Sequence, residues 1–492
     1  MLSPLSFCLS FGPRRELIVE GCKAQNLRVG NANWWISESV DDGNRRGVRV
    51  REMEMEETET EAEILELYEL RYSDLMLLAA TSVTSSTPPE ELERVEAMRR
   101  TMMETLGHGG PGLLSVTGFP SASRLRRKLL PLARKLALLD FEDRKRILKK
   151  HNLGSDVPLK NPDRKVSSFA MQLRYAEPLE STQSKPAKEA DPCLRPVHDR
   201  LDIVDNLREH QDDDDFRNLG DTFMELGSCF MELGLCIARA CDKAIGGHEL
   251  EKSLLDSGTA KGRLIHYHSI LDSINLKQAD RRRRRGSTKK QVNRRRDNGD
   301  EHSEVRDCDI QSNLWQQWHH DYGIFTVLTD PMFLLHEENK FSMACDRECS
   351  SPSGHTYLQI FNPAKNNVLM VKTSPGSFII QVGESADIIS KGKLRSTLHC
   401  VCQPSKLENV SRETFVVFLQ PAWSKTFFIS DYPIEHCQLE GDHPDKDDLL
   451  AQEISKMIPS LTSRLKDGMT FAEFSRETTK QYYGGTGLQS NR

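Results

Sequence analysis

Two histidines and an aspartate stand where they can hold a metal ion. They are His319 and Asp321 in Trp318–Leu328, WHHDYGIFTVL, and His399 in Thr397–Cys402, TLHCVC. On an extended chain alternate residues share a face, so His319 and Asp321 project together while His320 turns away. A neighbouring strand can bring His399 to the pair. Two imidazoles and one carboxylate on one side of an ion leave its other positions open, the arrangement of non-haem Fe(II) centres that activate dioxygen. Zinc suits it less, having no redox chemistry. Downstream, Arg412 and Thr414 obey the same alternation, and a guanidinium beside a hydroxyl clamps a carboxylate by charge-assisted hydrogen bonds. Inside a barrel such an arginine needs that partner. Each element alone is a weak signal; ordered as H-x-D, H, R-x-T on successive strands they reinforce one another.

The surrounding texture supplies the strands. From Leu314 to Ile429 short apolar or alternating segments are separated by Gly, Pro and Asn: Gly323–Leu328, Thr356–Phe361, Asn367–Lys372, Ser377–Val382, Leu398–Cys402, Thr414–Gln420 and Lys425–Ile429. That spacing predicts an antiparallel barrel or jelly roll. Lys261–Ser269, KGRLIHYHS, is a further strand with Leu264, His266 and His268 on one face and Ile265 and Tyr267 on the other.

Upstream the pattern is helical. Ile64, Leu67 and Leu70 are spaced for one face of a helix over Glu61–Leu70, and Pro88 and Pro89 open a second over Glu90–Leu106. Gly112–Gly118 reads as a short strand. Ser121 is a plausible N-cap for a helix carrying Leu125, Leu129, Leu132, Leu136 and Leu139, with its Arg and Lys residues as the wet face. Residues 154–200 read as a long connection or lid. Asp212–Asp215 then precede a stripe of Phe216, Leu219, Phe223, Leu226, Phe230, Leu233 and Ile237, a buried backing helix whose positive end the aspartates favour. Helix returns over 444–484, including Phe471–Tyr482.

At 492 residues the chain exceeds one ordinary domain, and its 37% hydrophobic and 28% charged content suits a globular protein with solvated segments. The net charge of −6 argues against general nucleic-acid binding. Twelve scattered cysteines point to a reducing compartment, and neither Cys345/Cys349 nor Cys400/Cys402 has the spacing of a structural zinc site. The apolar stretch Gly220–Ala240 is interrupted by Glu225 and Glu232, so no membrane span is expected. Residues 1–60 read as a disordered leader, with a weak organelle-transit reading of Met1–Gly12 left open. Charge is concentrated in Arg281–Arg296, RRRRRGSTKKQVNRRR, with ten Lys/Arg in sixteen residues. Such a block is expected to be an exposed, disordered insertion suited to nuclear import or to gripping nucleic acid or an acidic partner.

The motifs WHHDYG, LQI at Leu358–Ile360, PGSFIIQVGE, KGKLRSTLHCV and Arg412–Thr414 make residues 260–430 resemble the plant-type 2-oxoglutarate- and Fe(II)-dependent dioxygenases related to isopenicillin N synthase. The resemblance implies an α+β protein with a double-stranded β-helix (jelly-roll) core, a helical N-terminal region and C-terminal helices. It implies iron on His319, Asp321 and His399, and 2-oxoglutarate on Arg412 and Thr414. Dioxygen would be the co-reactant and succinate a product, with hydroxylation of a small organic substrate as the default outcome. Threonine replaces the family's usual serine at 414, and its hydroxyl can serve. Two departures lie outside the ligands: an extra loop near Glu337–Pro352 and the basic tract. The family's tyrosine beside the 2-oxo acid has no clean match, Tyr357 being merely near in sequence.

The expected organisation is a leader over 1–60, a helix-rich region over 61–258, a catalytic core over 259–435 carrying the basic insertion 277–310, and C-terminal helices with a tail over 436–492. A cytoplasmic or nuclear enzyme follows. The competing reading is a catalytically weak or inactive relative that works as a nuclear binding module through its basic insertion.

Overall fold

The computed structural model describes three strands within the first 62 residues. It then describes 63–80, 88–175 except 156, 215–288, 314–337, 345–433 apart from loop positions 363, 364, 366, 405 and 406, and 458–483. The chain divides into Met1–Ala62 and Glu63–Arg492. Where a disordered leader was expected, the first unit holds an antiparallel sheet of β1 (Gln25–Val29), β2 (Ala32–Val40) and β3 (Arg46–Glu52). The alternating valines of RGVRVRE are the strand signal there.

The second unit contains two large sheets, a two-stranded ribbon, ten α-helices and one 3-10 turn among the described residues. Its strands are β4 (Glu63–Glu66), β5 (Glu69–Arg71), β6 (Leu113–Thr117), β7 (Val166–Arg174), β8 (Thr259–Tyr267), β9 (Leu314–His319), β10 (Phe325–Thr329) and β11 (Met332–Glu337). They continue with β12 (Cys345–Cys349), β13 (Leu358–Asn362), β14 (Asn367–Lys372), β15 (Phe378–Val382), β16 (His399–Cys402) and β17 (Val410–Leu419). A two-stranded ribbon of β18 (Thr426–Phe427) and β19 (Met469–Thr470) closes the list. The helices are α1 (Tyr72–Ala79), α2 (Pro89–Leu106), α3 (Ala122–Leu138), α4 (Phe141–Lys150), α5 (Leu219–Ile245), α6 (Glu249–Ser257), α7 (Ile270–Thr288), α8 (Glu384–Ile389), α9 (Leu461–Arg464) and α10 (Phe471–Tyr483).

The larger sheet is organised on β17, whose ten residues span three partners. β8 pairs along one edge, while β10 and β11 share the other. The smaller sheet runs β4-β14-β13-β16-β9. Ile265, Leu328, Ile379 and Val416 of the first pack against Trp315, Leu358, Ile360 and Val401 of the second as one apolar layer. Helices α1–α6 cover the opposite face of the larger sheet. In α5 the expected stripe is buried throughout, and Phe230 meets Phe378 and Phe415 at ring-centroid distances of 4.6 and 5.5 Å. Gly234 lets that helix lie close to the sheet, since a Cβ there would fall 1.8 Å from Leu419 Cδ1.

Several local expectations give way to tertiary pairing. Of the helix expected over Glu61–Leu70, the described part from Glu63 is not helical: β4 adds parallel to β14 and β5 parallel to β6, so backbone pairing overrides the three-residue spacing. The 154–200 segment contains β7, hydrogen-bonded to the full length of β8, and 176–200 lie outside the described residues. The extra loop near Glu337–Pro352 is instead a hairpin of β11 and β12 that extends the sheet beyond β17. The expected disordered insertion 277–310 begins as helix, α7 running to Thr288, and 289–313 lie outside the described residues. Ser121 stands at the helix boundary, but with φ 62° and no capping hydrogen bond from its side chain. Of the basic residues assigned to the wet face of α3, Arg126 and Arg134 are buried, the first bonded to Asp330 and Pro331 carbonyls and the second to Asp272. Asp215 pairs with Lys135, and Asp212–Asp214 lie outside the described residues.

Removing the Phe230 ring should cost about 3–5 kcal/mol, because the α5–sheet contact cannot collapse onto the void. Urea unfolding of Phe230→Ala against the parent measures this, and Phe230→Leu should lose markedly less.

Candidate metal centre

The chain leaves β9 at His319, so Asp321 sits in the turn before β10 rather than on a strand. The strand parity that paired His319 with Asp321 therefore does not extend to Asp321. The turn is placed by the chain entering α8: Glu384 N–H donates to the Asp321 carbonyl at 2.8 Å, and Gly383 N–H donates to Ile324 O at 2.9 Å. Position 383 must be glycine, because a Cβ would lie 2.3 Å from the Gly323 carbonyl oxygen. His320 does turn away, into buried surroundings beside Glu384 and Arg464. Arg464 grips both Glu384 oxygens and thereby ties the C-terminal segment to the back of the metal turn.

His319, Asp321 and His399 converge, with one donor atom of each within 4.8 Å of the others. His319 Nε2 is 3.7 Å from Asp321 Oδ1, and His399 Nε2 is 4.0 Å from Asp321 Oδ2. Both imidazoles are oriented alike: Nδ1 of His319 donates to Gln317 O at 2.8 Å, and Nδ1 of His399 donates to Thr397 O at 3.0 Å. That fixes the tautomer and leaves both Nε2 lone pairs facing the carboxylate. Burial, helped by neighbouring His399, pushes the pKa of His319 down to about 4. Burial opposes ionisation of Asp321, yet His399, His319 and the Thr326 hydroxyl, which donates at 2.6 Å, hold its carboxyl below the usual range. Gln316 Nε2 lies 2.9 Å from His319 Nε2, so an entering ion displaces that amide. The donor set of two neutral imidazoles and a carboxylate fits Fe(II).

Arg412 and Thr414 point into the same cavity of about 540 Å³. Arg412 is 1% exposed; its Nε donates to Thr356 O at 2.9 Å, and its Nη1 makes no hydrogen bond. Its guanidinium lies 4.9 Å from the centre of the Tyr267 ring. Thr414 Oγ1 is 3.2 Å from Thr329 Oγ1. A buried guanidinium with an unused N–H beside a hydroxyl is a receptor for an anion. All five residues singled out in the sequence therefore line one cavity.

Tyr267 was missed as a site residue. Its signal lay in the parity of KGRLIHYHS, and the register Arg412↔Tyr267 makes it the clamp's cross-strand neighbour. Its hydroxyl donates to Gln316 Oε1 at 3.1 Å, and so links clamp to metal centre. Tyr357 turns its hydroxyl to Ser353 and does not line the cavity.

Residues 302–421 match the sequence model of the 2OG-Fe(II) oxygenase superfamily. Comparison with curated protein sequences gives no match. Among solved structures, the chain is similar to a full-length Neurospora crassa protein in complex with alpha-KG and thymine, at 14% identity and a TM-score of 0.42, covering 81% of this chain and 98% of that one. It is also similar to a rice dioxygenase for auxin oxidation, at 17% identity and a TM-score of 0.41, covering 82% and 98%.

Thr326→Val should weaken metal binding by about 10- to 100-fold, since the hydroxyl orients a ligating carboxylate; titration with Mn(II) or Fe(II) reads the change. A pH effect follows from the buried imidazoles. An unfolded chain takes up protons at His319 and His320 from pH 6.5 downward, whereas the folded one holds both neutral to about 4. The stability they leave intact above pH 6.5 is therefore lost as pH falls toward 4. The urea midpoint of metal-free protein should fall less steeply over that window in His320→Gln, and an unchanged slope would refute the assignment.

Proposed function

We propose, on the premise that residues 302–421 form a domain of the 2OG-Fe(II) oxygenase superfamily and that the chain is a 2OG/Fe(II) dioxygenase, that it hydroxylates a small organic molecule. Its cofactor is Fe(II), and its co-reactants are 2-oxoglutarate and O2. The observation that carries this reading is the meeting of two Nε2 lone pairs, one carboxylate and an under-used buried guanidinium in one cavity. The two facing sheets support a jelly-roll core, and the helices around them support the wider double-stranded β-helix description.

In this reading His319, Asp321 and His399 hold the iron on one side. Arg412 Nη1 and the Thr414 hydroxyl bind the far carboxylate of 2-oxoglutarate, whose charge compensates the buried guanidinium. Bound together, iron and 2-oxoglutarate supply the oxygen activation, with 2-oxoglutarate leaving as succinate and CO2 while the substrate gains an oxygen atom. Tyr267 backs the guanidinium and limits its rotation. Leu328, Leu358, Val401 and Val416 line the cavity with apolar surface and keep water from competing for the polar groups. Gln316, Arg263 and Gln381 are the polar wall groups available to orient a substrate.

Against the binding-module reading, a retired site has no need of all five residues, and the five line one cavity. Arg281 and Arg282 are exposed on α7, which leaves that surface free of the cavity. No described helix is long and apolar enough to cross a membrane.

Purified protein supplied with Fe(II), ascorbate and 2-oxoglutarate should release succinate, and His319→Ala should abolish it. Arg412→Lys keeps the charge but loses the planar fork, and should raise the KM for 2-oxoglutarate by about 10- to 100-fold with a smaller change in kcat. Folded protein that neither binds Fe(II) nor forms succinate would overturn the proposal.

A further inference from the structure

Behind the clamp, on the other face of the larger sheet, lies a second convergence of metal-ligating side chains. His266 is the outward neighbour of Tyr267 on β8, His268 follows just past the strand end, and Asp272 stands in the first turn of α7. All three side chains are fully buried, and one donor atom of each lies within 4.8 Å of the others. His266 Nε2 is 3.5 Å from Asp272 Oδ2, close to the roughly 3.3 Å between ligand atoms around a tetrahedral ion with bonds of about 2.0 Å.

What each residue does with its other polar atom matters more. His266 Nδ1 faces both Glu413 oxygens at 2.9 and 3.0 Å, so it donates there and turns Nε2 inward. His268 Nε2 is 2.8 Å from the Ser167 hydroxyl, which leaves Nδ1 inward. Asp272 Oδ1 accepts from Arg134 Nη2 at 2.7 Å, and Oδ2, which accepts from Ser269 N–H at 3.2 Å, faces His266. His268 Nδ1 makes no hydrogen bond, while His266 Nε2 faces the Asp272 carboxylate at 3.5 Å. A buried polar atom without a partner is costly, and His268 Nδ1 is one, on a ring that meets that of His266 edge to face at 4.3 Å between centroids. The carboxylate on the far nitrogen of one ring and the hydroxyl on that of the other are the supports that ligating histidines ordinarily have.

We propose that His266 Nε2, His268 Nδ1 and Asp272 Oδ2 bind a divalent d-block cation, zinc being the best match to this donor set, as a structural ion that fixes β8 to the start of α7. Without the ion, burial opposes a charge on His266, but Glu413 and Asp272 outweigh it and lift its pKa to about 9. Burial, His266 and Arg164 keep His268 neutral. The charged groups facing the site are Glu413 from β17, Arg134 from α3, Arg164 ahead of β7 and Asp272 itself.

The test uses the full chain carrying His319→Ala and His399→Ala, which removes the iron site and any dependence on turnover. Produced with zinc, the folded protein should retain about one zinc per chain by elemental analysis. Cobalt(II) in its place should give intense tetrahedral d–d bands without a thiolate charge-transfer band, since the donors are N and O. Adding His268→Ala should bring the metal content close to zero. Folded protein without metal, a thiolate band, or metal retained after His268→Ala would each overturn the proposal, leaving His266 as a protonated counter-ion to two carboxylates. The first measurement leaves His266, His268 and Asp272 intact, so it decides the matter even where His268→Ala does not fold.

Discussion

A guanidinium sealed between two sheets, with one N–H unused, governs what the central strand can be. β17 carries Arg412 and Thr414 on its cavity face and Glu413 on the other, so a single tripeptide puts opposite charges on opposite sides of one layer. Neither charge is tolerable unpaired at that depth. Glu413 finds His266 at once, while Arg412 meets a backbone carbonyl and the Tyr267 side chain but no carboxylate at salt-bridge distance among the described residues. The outer charge is thus settled by a carboxylate–imidazole pair, while the inner one keeps Nη1 without a hydrogen bond.

The metal turn is held by a different device. Asp321 lies off the strand, and its position depends on the carbonyl bond to Glu384 and on the close approach at Gly383. Glu384 is in turn fixed by Arg464, which arrives from the C-terminal segment and stacks near Phe474 and Tyr482. Tyr482 also lines the cavity, and its hydroxyl accepts the His320 N–H at 3.3 Å. The last helix thus belongs to the site as a support for the metal turn and as a wall in front of it.

Burial works in opposite directions on the two faces of the larger sheet. In the cavity it keeps His319 neutral, so its lone pair is available for an ion at ordinary pH. Behind the sheet two carboxylates outweigh it at His266. Residue type alone does not separate these outcomes, because each depends on which charges the fold brings within a few ångströms.

The sequence by itself offered the candidate chemistry. His319, His399, Arg412 and Thr414 could be singled out because strand period and motif order are local properties, as could the apolar stripe of α5, whereas Asp321 was singled out by the same parity at a point where the chain has already left the strand. Only the tertiary structure decided what depends on distant pairing. β4 and β5 are strands because β14 and β6 offer them backbone partners, against a spacing that reads as helix. Arg126 and Arg134 are buried because carbonyls and carboxylates over 130 residues away receive them. Tyr267 joins the clamp because β8 meets β17 in one register, and a shift by one residue would have offered Arg412 an imidazole instead. A side chain's type and face can be read from its neighbours in sequence, whereas its partner is set by whatever folding brings to that face.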